Sequence, residues 1–298
     1  MKKKAEKKIV YGLVIILAVF WGLSFLATSV LVKKIDPIQI QAVRWIIASC
    51  VFLIFILAGK IKIDFHKKNV KFLFITGLVQ PCAYMIFETY GIAMTSSSVG
   101  SIFVATIPSM ALLISTIFLH KKTTTMGIVS IFLAFAGVVV CTVFSPAFSL
   151  NGEVLGYLVL IGTVIIGGIY TCVSAKAGEE YAALEITTVM SFMGAIFYNI
   201  LNFVMGYGFE TYTVYFNDLH LIVGILFLGV CCSAITYLGF NKIITLMDPV
   251  IANNLSSSMI TVVGVSAGIF IAGDPGGIYT LIGLAMTLSG VYLSSKQI

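Results

Sequence analysis

Charged residues are scarce in this chain. Of its 298 residues, 10% are charged and 59% are hydrophobic. An average soluble domain carries about 25% charged residues, and a soluble fold of this length could not cover its surface with so few. The scarcity excludes a cytosolic enzyme, a nucleic-acid-binding protein and a disordered chain. It leaves a helical membrane protein as the fold class.

Several catalytic motifs are also missing. The sequence has no GxxxxGK[ST] phosphate loop, which excludes an ATP-driven pump within this chain. It has no HExxH motif and no acidic metal cluster, and its six cysteines do not show metal-ligand spacing. We therefore expect no cofactor and no metal. An integral-membrane enzyme stays an alternative, although it needs clustered His, Asp or Glu, and Glu88 stands alone within the apolar segments.

Long apolar runs fill most of the chain, and the mean hydropathy is +1.08. A helix needs about 20 apolar residues to cross about 30 Å of hydrocarbon. That length predicts ten membrane helices, at 9–32, 37–58, 70–92, 99–119, 126–144, 154–175, 185–206, 219–241, 249–272 and 277–294. The connecting loops are too short for a soluble domain, so the lipid bilayer is the expected surrounding.

The lysines predict an orientation. If the N-terminus is cytoplasmic, fifteen lysines fall in inside segments and two, Lys33 and Lys34, fall outside. Cytoplasmic loops of membrane proteins carry an excess of Lys and Arg, so this split favours a cytoplasmic N-terminus. Ten spans then return the C-terminus to the cytoplasm.

The chain divides into two sets of five predicted spans. We expect a basic N-terminus at 1–8, a first repeat at 9–144, a linker at 145–153, a second repeat at 154–294 and a cytoplasmic tail at 295–298. Because five is odd, a second copy must enter the membrane from the opposite face. Inverted repeats of this kind are the architecture that secondary transporters use for alternating access.

Several motifs carry a resemblance to a known family. They are FWGLSF at 20–25, DP at 36–37, RW at 44–45, YGIAMTSS at 90–97, TIP at 106–108 and LAFAGV at 133–138. In order and spacing the chain resembles the EamA type of the drug/metabolite transporter superfamily. The resemblance implies a ten-helix secondary carrier in a prokaryotic cytoplasmic membrane, which exports amino acids or related metabolites. Metabolite uptake, a channel and a lipid scramblase remain alternatives.

Two charges lie well inside the predicted spans. At about 1.5 Å rise per residue, Arg44 lies roughly 10 Å and Glu88 roughly 6 Å below the same, outer edge of the membrane. A charge at that depth costs free energy unless it is paired or faces water. Either Arg44 extends to the outer interface as an anchor, or Arg44, Glu88 or both face a cavity. Glu88 is the candidate for proton coupling.

Other polar and aromatic residues at membrane depth have two possible interpretations, a structural role or a role in a binding site. Pro81 is expected to kink its span, and Gln80 either satisfies a backbone group freed by the kink or binds substrate. The polar run at 253–258 makes either interhelical hydrogen bonds or a cavity wall. We predict a small-molecule site between the halves, lined by Trp21, Arg44, Gln80, Tyr84, Glu88, Pro108, Tyr170, Tyr237, Asn253, Asn254 and Ser257. The carrier is expected to be a monomer or a homodimer.

Overall fold

Long helices make up most of the structure. The computed structural model describes residues 2–61, 63, 65, 69–118, 124–145, 153–247 and 249–295, and no strand occurs in these ranges. The long helices are numbered in chain order: α1 Lys2–Leu31, α2 Pro37–Leu57, α3 Val70–Met94, α4 Ser97–Ile117, α5 Thr125–Val143, α6 Glu153–Ala177, α7 Ala183–Val204, α8 Leu219–Leu246, α9 Ile251–Ala272 and α10 Ile278–Ser295. The all-α fold class is confirmed.

Length and composition fit a membrane. Within the described ranges, nine helices are long and apolar enough to cross one. The tenth is α10, whose apolar part, Ile278–Leu293, is shorter. The bounds differ from the predicted ones by a few residues. For example, α8 continues to Leu246, beyond the predicted end at 241, because the polar Asn241 and Lys242 lie inside the helix and not in a loop.

Short polar side chains fix where several helices begin. At α2, the Asp36 carboxylate accepts a hydrogen bond from the Ile38 amide at 2.8 Å, and Gln39 Oε1 accepts one from the Asp36 amide at 3.3 Å. This is a capping box. At α4, Ser96 Oγ accepts a hydrogen bond from the Val99 amide at 3.3 Å. These caps satisfy amides that have no partner inside the helix, so α4 begins at Ser97 and not at the predicted residue 99.

The helices α3 and α8 are both interrupted near the middle. Each contains a π-helical segment, Leu78–Ala83 in α3 and Phe227–Ile235 in α8. In α3, Gln80 has extended backbone angles (φ −132°, ψ 114°) directly before Pro81. Proline lacks an amide hydrogen and disfavours helical angles in the residue before it. The expected kink at Pro81 is therefore present, and α8 has a break in the corresponding helix of the second half.

The two halves of the chain, α1–α5 and α6–α10, make equivalent helix contacts. The main contacts between a helix of one half and a helix of the other have counterparts in which the halves change places. Helix α1 packs on α9, and its counterpart α6 packs on α4. Helix α3 packs on α6, and its counterpart α8 packs on α1. Two counterpart pairs, α2 with α7 and α5 with α10, pack on each other directly. The core therefore lies between the halves.

One hydrogen bond between helices recurs in both halves. Gln41 Nε2 of α2 donates to Thr89 Oγ1 of α3 at 2.7 Å. Asn241 Nδ2 of α8 donates to Thr187 Oγ1 of α7 at 2.9 Å. All four side chains are buried. Each bond ties two helices of one half together at matching places in the fold.

Glycines bring α5 and α10 into close contact. A Cβ atom on Gly137 would lie 2.5 Å from the carbonyl oxygen of Gly283. A Cβ atom on Gly290 would lie 2.5 Å from the amide nitrogen of Ala134. Small residues let membrane helices pack backbone to backbone, and these positions leave no space for a larger side chain.

Candidate functional site

A mostly apolar cavity lies between the two halves. Its walls come from α1, α2, α3 and α4 of the first half and from α6, α8 and α9 of the second. The space open to the centre of a water molecule is about 60 Å³. Since one water needs about 10–15 Å³ by this measure, there is room for roughly four to six waters. The cavity therefore fits a small solute.

Most of the predicted site residues come together here. The cavity is lined by Trp21, Arg44, Gln80, Tyr84, Glu88, Tyr170, Tyr237, Asn253 and Ser257. Pro108 and Asn254 do not line it, although their neighbours Ile107 and Asn253 do. Successive residues of an α-helix point about 100° apart, given 3.6 residues per turn. One position along the helix is therefore enough to turn a side chain away from the cavity.

Nine further residues complete the lining: Ser24, Phe25, Met85, Val104, Ile107, Gly167, Thr171, Phe240 and Ile260. Most of them lie three or four residues from a predicted one, as Ser24 and Phe25 do from Trp21. Residues at that spacing share one face of a helix, so helical spacing around the predicted residues is a signal that identifies them.

Arg44 is buried and faces the cavity. The residue is only 2% exposed, and its Nε donates a hydrogen bond to Ser233 Oγ of α8 at 2.7 Å. The guanidinium carbon lies 6.0 Å from the ring centre of Trp45. Its two terminal nitrogens have no hydrogen-bond partner among the described residues and are open to the cavity. The Arg44 side chain therefore lines the cavity and does not reach the outer surface of the fold.

Glu88 contributes a carboxylate to the same cavity. It is 8% exposed, and its Oε1 accepts a hydrogen bond from the Tyr84 hydroxyl at 3.0 Å. The other oxygen accepts no hydrogen bond from the part of the chain that the structure describes, and it is open to the cavity. No ion pair within 4.0 Å joins Glu88 to Arg44, both of which are described residues. The two charges therefore face one space without neutralising each other by direct contact.

The Gln80 amide lies at the kink of α3. Its Nε2 donates a hydrogen bond to the hydroxyl of Tyr237 and not to a backbone carbonyl group freed by the kink. Its Oε1 is buried and has no partner among the described residues. Leaving a buried acceptor unpaired costs about 1–3 kcal/mol. A solute that carries a hydrogen-bond donor can recover part of that free energy.

Aromatic rings form the apolar part of the wall. The rings of Trp21 and Tyr237 meet edge to face, with centroids 4.9 Å apart and planes at 67°. Trp21 Nε1 donates to the carbonyl oxygen of Cys232 in α8 at 3.0 Å. Tyr170 and Phe240 stack with centroids 6.1 Å apart. The rings of the first and second halves are therefore packed against one another around the cavity.

The polar side chains of the second half are hydrogen-bonded to each other. Asn253 Nδ2 donates to Thr171 Oγ1 at 2.9 Å, and Asn253 Oδ1 accepts from Ser257 Oγ at 3.0 Å. The Tyr170 hydroxyl donates to Asn241 Oδ1 at 2.9 Å. The polar run of α9 thus makes helix contacts and also forms part of the wall. The charged groups of the cavity that keep atoms without a hydrogen-bond partner among the described residues are Arg44 of α2 and Glu88 of α3.

A metal site would need several ligands in one place. In the described ranges, no three His, Cys, Asp or Glu side chains come together as such a site requires. What the cavity offers is a cation, a carboxylate and an amide oxygen in an apolar surrounding. This arrangement is suited to holding a small polar solute by charge and hydrogen bonds.

Sequence comparison decides the family. The pattern of the EamA-like transporter family matches the chain twice, at residues 8–143 and 154–296. The chain belongs to the EamA-like transporter family. The resemblance seen in the motifs is confirmed, and this EamA protein is an integral membrane transporter.

Two relatives are similar over most of the chain, and a solved structure shares the fold. The EamA chain is similar to an "Uncharacterized transporter" of Archaeoglobus fulgidus, 28% identical over 280 residues, which cover 93% of this chain and 95% of the relative. It is similar to the "Uncharacterized transporter YcxC" of Bacillus subtilis, 25% identical over 275 residues, which cover 91% and 87%. A solved crystal structure, 14% identical, shares the fold with a TM-score of 0.71 over 98% of both chains.

Proposed function

We propose that this EamA transporter is a secondary active carrier that exports small organic solutes, amino acids or related metabolites, across a prokaryotic cytoplasmic membrane. The observation that carries the proposal is the central cavity, whose walls come from both halves. A solute in it contacts both halves at once. A movement of one half against the other then changes the side of the membrane from which the solute is reached.

The open polar groups support a zwitterionic solute. Arg44 presents unpaired guanidinium nitrogens, and Glu88 presents an unpaired carboxylate oxygen, to the same space. An amino acid carries a carboxylate for the first and an ammonium group for the second. The rings of Trp21, Tyr170 and Tyr237 provide apolar surface for its side chain.

Two inverted repeats support alternating access. We assign the repeats to 9–144 and 154–294, joined by the linker at 145–153, with the segments 1–8 and 295–298 in the cytoplasm. Support comes from the two family matches and from helix pairs that match when the halves are exchanged. Each half contributes five long helices, so a second copy runs through the membrane in the opposite sense.

Proton coupling is assigned to Glu88, because it is the carboxylate that lines the cavity. A carboxylate that takes up a proton on one side and releases it on the other can drive a solute uphill. We propose that the carrier is a monomer or a homodimer.

A flux screen in proteoliposomes tests the proposal. The purified protein is reconstituted, and labelled amino acids and related metabolites are followed with and without an imposed pH gradient. We expect saturable flux of at least one such solute that responds to the gradient. The absence of any gradient-sensitive or exchange flux contradicts the carrier. The direction in which the gradient drives net movement separates export from uptake.

A matched pair of variants tests whether the cavity is the route. Ser24 lines the cavity, and Ile15 on the same helix is 55% exposed on the outer surface of the fold. Ser24→Phe fills the cavity and is expected to lower flux at least tenfold, whereas Ile15→Phe leaves flux unchanged. Equal flux in both variants, with equal amounts of folded protein, places the route elsewhere.

A further inference from the structure

Two residues of α8 hold two cavity-lining side chains of the first half. Ser233 Oγ accepts a hydrogen bond from Arg44 Nε at 2.7 Å, and the Tyr237 hydroxyl accepts one from Gln80 Nε2. Ser233 and Tyr237 are four residues apart, so they lie on one face of α8, about one turn from each other. Both are buried. A single helix of the second half thus fixes two polar groups of the first.

These bonds decide which atoms remain for a solute. Arg44 uses Nε for Ser233 and keeps its two terminal nitrogens open. Gln80 uses its nitrogen for Tyr237 and keeps its oxygen unpaired. The unpaired atoms are therefore a planar pair of cationic donors on Arg44 and a buried neutral acceptor on Gln80. A guanidinium pair matches the two oxygens of a carboxylate, and an amide oxygen matches an ammonium group.

Ser233 also restrains the Arg44 side chain, which makes no ion pair with Glu88 within 4.0 Å. Opposite charges that face one apolar cavity attract each other strongly, and a freely rotating arginine would turn towards the carboxylate. The hydrogen bond to Ser233 holds the guanidinium at its Nε. An ion pair between the two side chains would occupy the groups that a zwitterion needs.

We propose that Ser233 and Tyr237 are positioning residues that orient Arg44 and Gln80 for the two ends of the solute. The proposal rests on the carrier function given above and specifies its selectivity. Ser233 does not line the cavity and acts through Arg44, whereas Tyr237 lines it as well. Because both residues belong to α8, the selectivity of the first-half groups depends on the second half being in place.

Three probes of the same shape separate the two ends. L-Valine carries both end groups, isovalerate lacks the amine, and isobutylamine lacks the carboxylate. Their binding to the purified full chain in detergent is measured by titration calorimetry. The variants are Ser233→Ala, Ser233→Thr, which keeps the hydroxyl, and Tyr237→Phe. Ser49→Ala is the control, because Ser49 also bonds across the halves, to the Ser191 carbonyl oxygen at 2.9 Å, but does not line the cavity.

The wild type is expected to bind L-valine more tightly than either fragment. Ser233→Ala should weaken binding of L-valine and isovalerate about tenfold, which corresponds to about 1.4 kcal/mol, and leave isobutylamine unchanged. Ser233→Thr should restore the wild-type ratio. Tyr237→Phe should weaken L-valine and isobutylamine while sparing isovalerate. Ser49→Ala should leave all three ratios as they are.

Other results would contradict the positioning role of Ser233 and Tyr237. If Ser233→Ala weakens the three probes by the same factor, or if Ser49→Ala shifts their ratios as much, Ser233 has a structural role alone. If the wild type binds none of the probes, the end-group chemistry is wrong. That result does not decide the carrier function, which the proteoliposome flux tests separately.

Discussion

Arg44 of α2 and Ser233 of α8 are joined by a 2.7 Å hydrogen bond that crosses between the two halves of the fold. The bond leaves the far end of the guanidinium open to the central cavity. The position of the cation therefore depends on how the halves are packed against each other. A carrier that works by moving its halves can couple solute recognition to that movement through such a contact.

Replacing Arg44 by lysine tests the carboxylate end of the site. Lysine keeps the charge but lacks the planar pair of donors and the Nε that bonds Ser233. We expect Arg44→Lys to weaken binding of isovalerate about tenfold or more in titration calorimetry. Lys34→Gln, an exposed cation that pairs with Asp218 at 2.7 Å, serves as control and should bind as the wild type does. Wild-type affinity in Arg44→Lys would argue against a carboxylate contact.

Replacing Glu88 by glutamine tests coupling. The amide keeps an oxygen that can accept the hydrogen bond from Tyr84, so the local packing is retained, but it cannot carry a proton across the membrane. Solute exchange should persist in Glu88→Gln proteoliposomes, while net flux should lose its response to pH between about pH 5 and about pH 8. Asp218→Asn, in the loop before α8, should keep that response. A Glu88→Gln protein with a wild-type pH profile would assign coupling to another group.

Helix packing at α5 and α10 can be tested by stability. A side chain on Gly137 meets the backbone of α10, and overpacking of this kind typically costs about 1–3 kcal/mol. Gly137→Val should therefore lower the thermal midpoint of the purified protein. At Gly12 a Cβ would have no atom within 4 Å, so Gly12→Ala should leave the midpoint unchanged or raise it slightly. An unchanged midpoint in Gly137→Val would contradict the close approach of the two helices.

The helices could be predicted because their positions follow from the length of the apolar runs. Within the described ranges, nine of the ten predicted runs become helices long and apolar enough to cross a membrane, and the tenth becomes a helix whose apolar part, Ile278–Leu293, is shorter. The arithmetic of about 1.5 Å per residue puts Arg44 and Glu88 at similar depths, and both line the cavity. The kink at Pro81 follows from the chemistry of proline.

Contacts between distant segments could not be predicted in this way. Ser233 is 189 residues from Arg44, and nothing in the local sequence of either residue indicates the other. For a related reason, the sequence did not predict accurately which side chains of α4 and α9 point into the cavity. Pro108 and Asn254 are each one residue from a lining position, and the rotation of a helix about its axis is set by packing, which the apolar run does not specify.

Cysteine labelling tests the proposed orientation. In a background without the native cysteines, Lys34→Cys and Asp274→Cys should react with a membrane-impermeant thiol reagent from outside the cell, and Glu179→Cys should react after permeabilisation. Asn151, another position predicted to be outside, lies beyond the described residues and can be labelled in the same way. Labelling of Lys34→Cys only after permeabilisation would invert the orientation.

Counterflow across proteoliposomes tests the carrier mechanism most directly. Vesicles are loaded with an unlabelled solute from the flux screen or left empty, and entry of the labelled solute is followed as its outside concentration rises. A carrier that exposes one cavity to alternate sides gives saturable entry that is faster into loaded vesicles. Entry that rises linearly with concentration and ignores the load would show a channel and contradict alternating access.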